Sequence, residues 1–193
     1  MRRLATVAVT VAAVVAGAAA VARAQAPGTE YSVVPAESSI TYHLVHKLHH
    51  VEGTSHKVEG KARLMPDGKA QVMVRAPAAS FDSGNVNRDA HMKEAIEAAK
   101  YPWVELKALG ESVKPPATFP STEKKTFKAQ LSFHGVQNVF DLPVDVTWES
   151  PTKVHATTTF TISLDGYKVE RPSLMFVKVD DALKIDAKLD FAR

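Results

Sequence analysis

The sequence predicts an all-β domain: an eight-stranded antiparallel up-and-down barrel with one short helix between its third and fourth strands. Three observations carry this. From Ser38 onward apolar and polar residues alternate over most of the chain, the period of a half-buried strand. Turn residues, not long crossovers, separate most of the alternating runs. Only one segment repeats at helical spacing.

The clearest strand sets Phe127, Ala129, Leu131 and Phe133 against Lys128, Gln130, Ser132 and His134. The same parity returns in Phe140, Leu142, Val144, Val146 and Trp148, then in Val154, Ala156, Thr158, Phe160 and Ile162. It appears last in Leu183, Ile185, Ala187, Leu189 and Phe191. Earlier strands are centred on Ile40, Tyr42, Leu44 and His46, on Val58 to Leu64, on Val72 and Val74, and on Val104 and Leu106, which makes eight. Pro66-Asp67-Gly68, His134-Gly135 and Ser150-Pro151 are the turns between neighbours, and strands joined by such turns run antiparallel. A helix is predicted from Asn87 to Ala99. Asn85 or Asn87 caps it, Asp89 meets the positive end of its dipole, and Met92, Ala95, Ile96 and Ala99 form its buried stripe. It stops before Tyr101-Pro102. Closing eight sequential strands removes the exposed edges of an open sheet, which favours a barrel over a two-sheet sandwich.

The first residues are of another kind. Arg2 and Arg3 precede an unbroken small and apolar run from Ala5 to Ala22, and Ala22-Arg23-Ala24 is a small-x-small cleavage pattern. Residues 1–24 are read as a signal peptide, which leaves 25–193 as one domain exported to the periplasm. Removing the leader takes away three arginines, so 21 Lys and Arg balance 21 Asp and Glu. A basic nucleic-acid binder loses its main support. There is no cysteine, so disulfides, thiolate metal sites and a lipid-anchoring cysteine are all excluded.

Ile40-x-Tyr42-x-Leu44-x-His46, Ser80-Phe81, Ser83-Gly84-Asn85, Arg88-Asp89-x-His91-Met92, Tyr101-Pro102 and Leu131-Ser132-Phe133-His134-Gly135-Val136 occur in this order across nearly the whole predicted mature chain. Each piece is weak alone and the set is specific: the chain resembles the YceI-like family. The resemblance implies a lipocalin-like barrel that binds a polyisoprenoid lipid, such as an isoprenoid quinone, in its lumen without catalysis and often as a homodimer. It implies no cofactor beyond that lipid.

Eight strands about 4.8 Å apart and tilted near 40° close to a diameter of roughly 16 Å, enough for one slender chain and too little for a bulky cofactor. The inward rows then nominate Tyr42, Leu44, His46, Phe127, Ala129, Leu131, Phe133, Val144, Val146, Phe160 and Ile162 as ligand-facing. The same residues, with Trp148, are also able to fill a small barrel outright, and only the resemblance favours a hollow one.

The connections after the first, third, fifth and seventh strands share one end. That gathers His50, Arg88, His91 and His134 as candidate head-group residues, with His46 just inside, and places His155 at the opposite end. The segment Asp165 to Asp181, with Tyr167, Leu174, Met175 and Phe176, is a candidate apolar cover. Arg88 and Asp89 also suit a plain helix-start ion pair, the simpler role. By strand parity His46 points inward and His49 outward. Eight histidines keep a metal- or haem-binding module as the alternative function. No Ser-His-Asp order, glycine-rich phosphate loop or His-Glu-x-x-His helix supports an enzyme.

Overall fold

A computed structural model describes residues 28–46, 49–174 and 177–193. The signal-peptide segment, Met175 and Phe176 lie outside the described residues, as do the side chains of His46, His49, Leu174 and Val177. Twelve strands are present: β1 (Thr29–Val33), β2 (Ser39–His46), β3 (His49–Ser55), β4 (Glu59–Leu64), β5 (Ala70–Pro77), β6 (Trp103–Gly110), β7 (Ser121–Phe133), β8 (Val136–Ser150), β9 (Lys153–Ser163), β10 (Ser173–Leu174), β11 (Val177–Lys178) and β12 (Ala182–Ala192). One helix, α1 (Val86–Ala95), lies between β5 and β6.

The strands close into a barrel of eight antiparallel staves, two of which are broken. Hydrogen bonding runs β1-β4-β5-β6-β7-β8-β9-β12 and returns from β12 to β1. Along the same edge of β12, β2 pairs with Leu183 to Lys188 and β1 with Phe191 and Ala192, so β1 and β2 are two halves of one stave. Their partners β3 and β4 form the second broken stave. The first break is stapled by Ser38, fully buried, whose Oγ donates to the Val34 carbonyl at 2.9 Å and accepts the Asp190 N–H at 3.0 Å. Those two bonds satisfy backbone groups that the interrupted ladder leaves without a strand partner.

The eight predicted strands are all present, and the broken staves add β1 and β3, which the alternation did not reveal. The three turns fall where predicted. At His134-Gly135 both residues have positive φ, 50° and 73°, the left-handed pair that a two-residue hairpin turn requires. A side chain on Gly135 would also meet the Tyr101 ring at 2.6 Å.

The helix is shorter than the Asn87–Ala99 prediction. Asn85 caps it by accepting the Arg88 N–H at 3.0 Å, and Glu97 adopts a left-handed conformation that ends it beyond Ile96. Ala99 is therefore exposed outside the helix, and Ile96 supplies the buried contact. The strand pairing corrects a second expectation. Its register sets His46 opposite His49 across the β2–β3 hairpin, and directly paired residues share a face of the sheet. The parity count that gave His49 the opposite side ignored the turn.

Inward side chains form two buried clusters. One, around Tyr31, Phe127, Trp148 and Phe191, fills one end; the other, around Tyr42, Phe81, Phe133, Ile162 and Tyr167, surrounds the α1 end. Among the described residues no helix is long and apolar enough to cross a membrane.

Candidate functional site

The barrel is hollow. A cavity of about 560 Å³ runs between the two clusters and is lined almost wholly by apolar side chains from every stave. β9 illustrates how the sequence builds the wall: Val154, Ala156, Thr158, Phe160 and Ile162, alternate residues of one strand, all face the cavity. Of the ligand-facing residues nominated from sequence, Tyr42, Leu44, Phe127, Leu131, Phe133, Val144, Val146, Phe160 and Ile162 line it. Ala129 does not. It points inward and is fully buried, but Ala108 and Phe140 flank it in the neighbouring strands and it belongs to the wall itself. The His46 side chain lies outside the described residues.

The far end is sealed by aromatic packing. Tyr31 and Trp148 meet edge to face with centroids 6.0 Å apart, and Tyr31 Oη donates to the Pro151 carbonyl at 3.1 Å. The other end is built from α1 and the segment after β9, through Arg88, His91, Met92, Leu164, Val169, Pro172, Ser173 and Val179. His91 is exposed and Arg88 half-exposed, so this end is the polar mouth. Leu164, Tyr167 and Val169 are buried, which makes the start of the 165–181 segment part of the wall; the Leu174 side chain, Met175 and Phe176 of the predicted cover lie outside the described residues.

Arg88 and Asp89 do not form the expected ion pair. Arg88 donates through Nε to Ser83 Oγ at 2.8 Å and through Nη2 to the Ser83 carbonyl at 2.6 Å. The buried Asp89 carboxylate accepts the Ser83 N–H at 3.1 Å and the Ser83 hydroxyl. Ser83 thus stands between the two charges and holds both, which fixes the guanidinium at the cavity edge. Burial raises the Tyr42 phenol above the usual tyrosine range; the Asp89 carboxylate adds to this and the Arg88 guanidinium opposes it. Tyr42 is therefore a neutral hydroxyl at neutral pH.

The described histidine side chains do not gather around one rim. His134 is a bracket behind the mouth: its Nδ1 lies 3.0 Å from the Tyr167 carbonyl, which fixes the proton on Nδ1, and its ring packs 4.9 Å from Tyr101. Its Nε2 is 3.4 Å from Glu97. The β7–β8 turn and the 164–169 segment are tied together by this one side chain. His50 sits exposed on the outer face, and His155 pairs with Asp190 at 2.9 Å, well away from the mouth. Among the described residues no cluster of three or more His, Asp and Glu side chains is arranged to hold a metal ion. Ser83, missed from sequence as a functional residue, links Arg88 to Asp89 at the mouth; its place two residues before the helix cap was the available signal.

The result is a closed barrel whose apolar lumen has the shape and lining to accommodate an extended apolar molecule. The chain belongs to the YceI-like domain family, whose pattern it matches over residues 31–191. No curated protein sequence matches it significantly. Among solved structures, it resembles a polyisoprenoid-binding domain from Saccharophagus degradans implicated in plant cell wall breakdown. That likeness has a TM-score of 0.70 at 19% identity and covers 84% of this chain and 97% of the other. It is also similar to BcnA of Burkholderia cenocepacia (TM-score 0.67, 17% identity, 82% and 98% covered). A third likeness is to the YCEI protein of Campylobacter jejuni (0.60, 16%, 77% and 88%). At these identities the likeness establishes the shared fold.

Proposed function

We propose that this protein is a non-catalytic carrier that holds a polyisoprenoid lipid, an isoprenoid quinone or a related prenyl lipid, in the lumen of its barrel. The observation that carries the proposal is the apolar cavity of about 560 Å³, bordered at its α1 end by Arg88 and His91. At roughly 30 Å³ per heavy atom, the share of a water molecule in the liquid, that volume holds about four five-carbon units, so a longer chain bends or emerges at the mouth.

The chain contacts are Tyr42, Leu44, Phe127, Leu131, Phe133, Val144, Val146, Phe160 and Ile162, with Ala129 acting from within the wall. Arg88 and His91 meet the head group. Arg88 directs its known hydrogen bonds to Ser83 and not to a carboxylate, so its charge favours an anionic or strongly polar head group at a site of low dielectric. Burying a five-carbon unit from water is worth about 4 kcal/mol, but a lipid drawn from a bilayer gains little of this. Selection among lipids falls to cavity width and head group. The protein acts in the periplasm after loss of residues 1–24, touches membranes transiently to load, and pairs with a second copy.

The test is mass spectrometry of organic extracts from the exported protein, with zinc, copper and haem assayed on the same sample. Stoichiometric prenyl lipid without metal is the predicted outcome. An empty barrel with stoichiometric metal or haem rejects the carrier in favour of a histidine-based module.

A further inference from the structure

One phenol reaches from the barrel wall toward the residues that hold Arg88. Tyr42 of β2 is paired with Gly53 of β3, and a Cβ added to Gly53 would meet the edge and hydroxyl of the Tyr42 ring at 2.6 to 2.7 Å. The ring therefore lies across the inner face of β3, in the space a side chain at position 53 would take. It meets Phe81, with ring centroids 5.8 Å apart. Phe81 comes from the edge of β3 opposite β2, where Thr54 exchanges backbone hydrogen bonds with Asp82 at 2.9 and 3.0 Å. Two residues beyond Phe81, Ser83 holds both Arg88 and Asp89. Tyr42 thus spans β3 and carries its hydroxyl to the α1 side of the lumen. The phenol feels both charges there, the Asp89 carboxylate and the Arg88 guanidinium acting on it in opposite senses.

We propose that Tyr42 is a specificity-determining residue, donating its hydroxyl to a head-group oxygen of the lumen lipid beside the contact made by Arg88. The inference rests on the carrier reading and deepens it: the Tyr42 ring touches the chain, and its Oη recognises the head group. Both Tyr42 and Arg88 line the lumen. Tyr42 is only 9% exposed, and a phenol so buried needs an acceptor to offset its lost hydration. Asp89 does not serve, because its carboxylate takes the N–H and the hydroxyl of Ser83. Two other hydroxyls on the lumen wall are committed to the backbone: Tyr31 donates to the Pro151 carbonyl and Thr158 to the Pro143 carbonyl. A neutral phenol and a guanidinium side by side suit an acceptor with several oxygens and negative charge, which a phosphate ester offers and a single hydroxyl does not. With one donor inside the lumen, the head group is drawn in on the α1 side, where water weakens neither bond as it would at the rim.

Binding of a tetraprenyl phosphate, and of the tetraprenyl hydrocarbon that lacks the phosphate, tests this on the mature protein. Tyr42→Phe deletes the hydroxyl and leaves the ring over Gly53, so the fold and the melting temperature are retained. The phosphate is predicted to lose roughly 10-fold or more in affinity, the effect of one hydrogen bond to a charged group, while the hydrocarbon is nearly unaffected. In an Arg88→Gln background Tyr42→Phe still weakens the phosphate several-fold, because the hydroxyl makes a contact of its own. Unchanged phosphate binding in Tyr42→Phe overturns the proposal. So does an equal loss for the hydrocarbon, which marks a packing role of the ring. A loss that vanishes in the Arg88→Gln background also overturns it, since Tyr42 then acts only through Arg88. A wild type that binds neither compound contradicts the carrier function and this inference with it. A wild type that binds both, with no effect of Tyr42→Phe on either, contradicts this inference alone.

Discussion

Ala156 offers the sharpest test of the cavity. It lies in β9 between Val146 of β8 and Leu189 of β12, and its side chain lines the lumen. Ala156→Trp adds a side chain on the order of 150 Å³, the size of the void left by loss of one large residue. That is about a quarter of the 560 Å³ available, or one five-carbon unit at roughly 30 Å³ per heavy atom. Binding of prenols of increasing length, measured in detergent-free buffer by competition with a fluorescent lipid, is predicted to gain affinity with each unit up to about four in the wild type. In the variant the plateau comes one unit earlier. Overpacking costs about 1 to 3 kcal/mol, so thermal melting is followed alongside. Ala129→Trp is the control: Ala129 belongs to the wall, so its replacement lowers stability and leaves the length of the plateau alone. An unchanged plateau in a folded Ala156→Trp protein, or a shortened one in Ala129→Trp only, refutes the assignment of the lumen.

Three further outcomes follow from the geometry. Arg88→Gln removes a charge-assisted contact worth about 1.5 to 3 kcal/mol, so a prenyl phosphate loses roughly 10- to 150-fold in affinity while the prenol of equal length is nearly unaffected; equal losses contradict a head-group role. His134→Ala breaks the tie between the β7–β8 turn and the Tyr167 carbonyl and leaves a void, costing about 2 kcal/mol and roughly 4 to 8 °C of melting temperature; an unchanged melt contradicts the bracket. Acid stability reports the carboxylates. Thr159 foremost, then Lys184 and His43, hold Asp186 below the usual aspartate range, and Lys61 with Arg63 does the same for Glu30. A carboxyl lowered in the folded state stabilises above its unfolded value near 4 and loses that contribution as pH falls through the folded value. Urea titrations are therefore predicted to be flat from about pH 7 to 5 and to weaken below about pH 4, less steeply in Asp186→Asn; greater stability on acidification contradicts this.

The sequence was most legible where side chains obey a strict period. The inward row of β9, Val154 to Ile162, is the cavity wall in the structure as in the pattern. It failed at the broken staves for local reasons. β1 has only five residues, with Tyr31 and Val33 as its apolar members, and Pro35 cuts it off. β3 reads His-His-Val-Glu-Gly-Thr-Ser, with a single large apolar residue; its inward Gly53 is covered by the Tyr42 ring, which a Cβ would strike at 2.6 Å. A packing partner from another strand replaces the apolar side chain that alternation looks for. Hollowness had no signature either, because Trp148 and Phe127 close one end while smaller residues such as Val144 and Ala156 leave the middle open. The histidines misled because their count is a property of the chain and their separation a property of the fold: His134 is spent on Tyr167, and His50 sits exposed on the outer face.

The central claim is that the lipid occupies the lumen, and isotope-filtered NMR on the mature protein loaded with a ¹³C-labelled tetraprenol tests it most directly. Cross-relaxation from the prenyl methyl groups to Leu131, Val144, Phe160 and Ile162 is the predicted result, with the hydroxyl end nearest Arg88 and His91. Cross-relaxation confined to the exposed outer-face residues Met73, Leu109 and Val139 contradicts it.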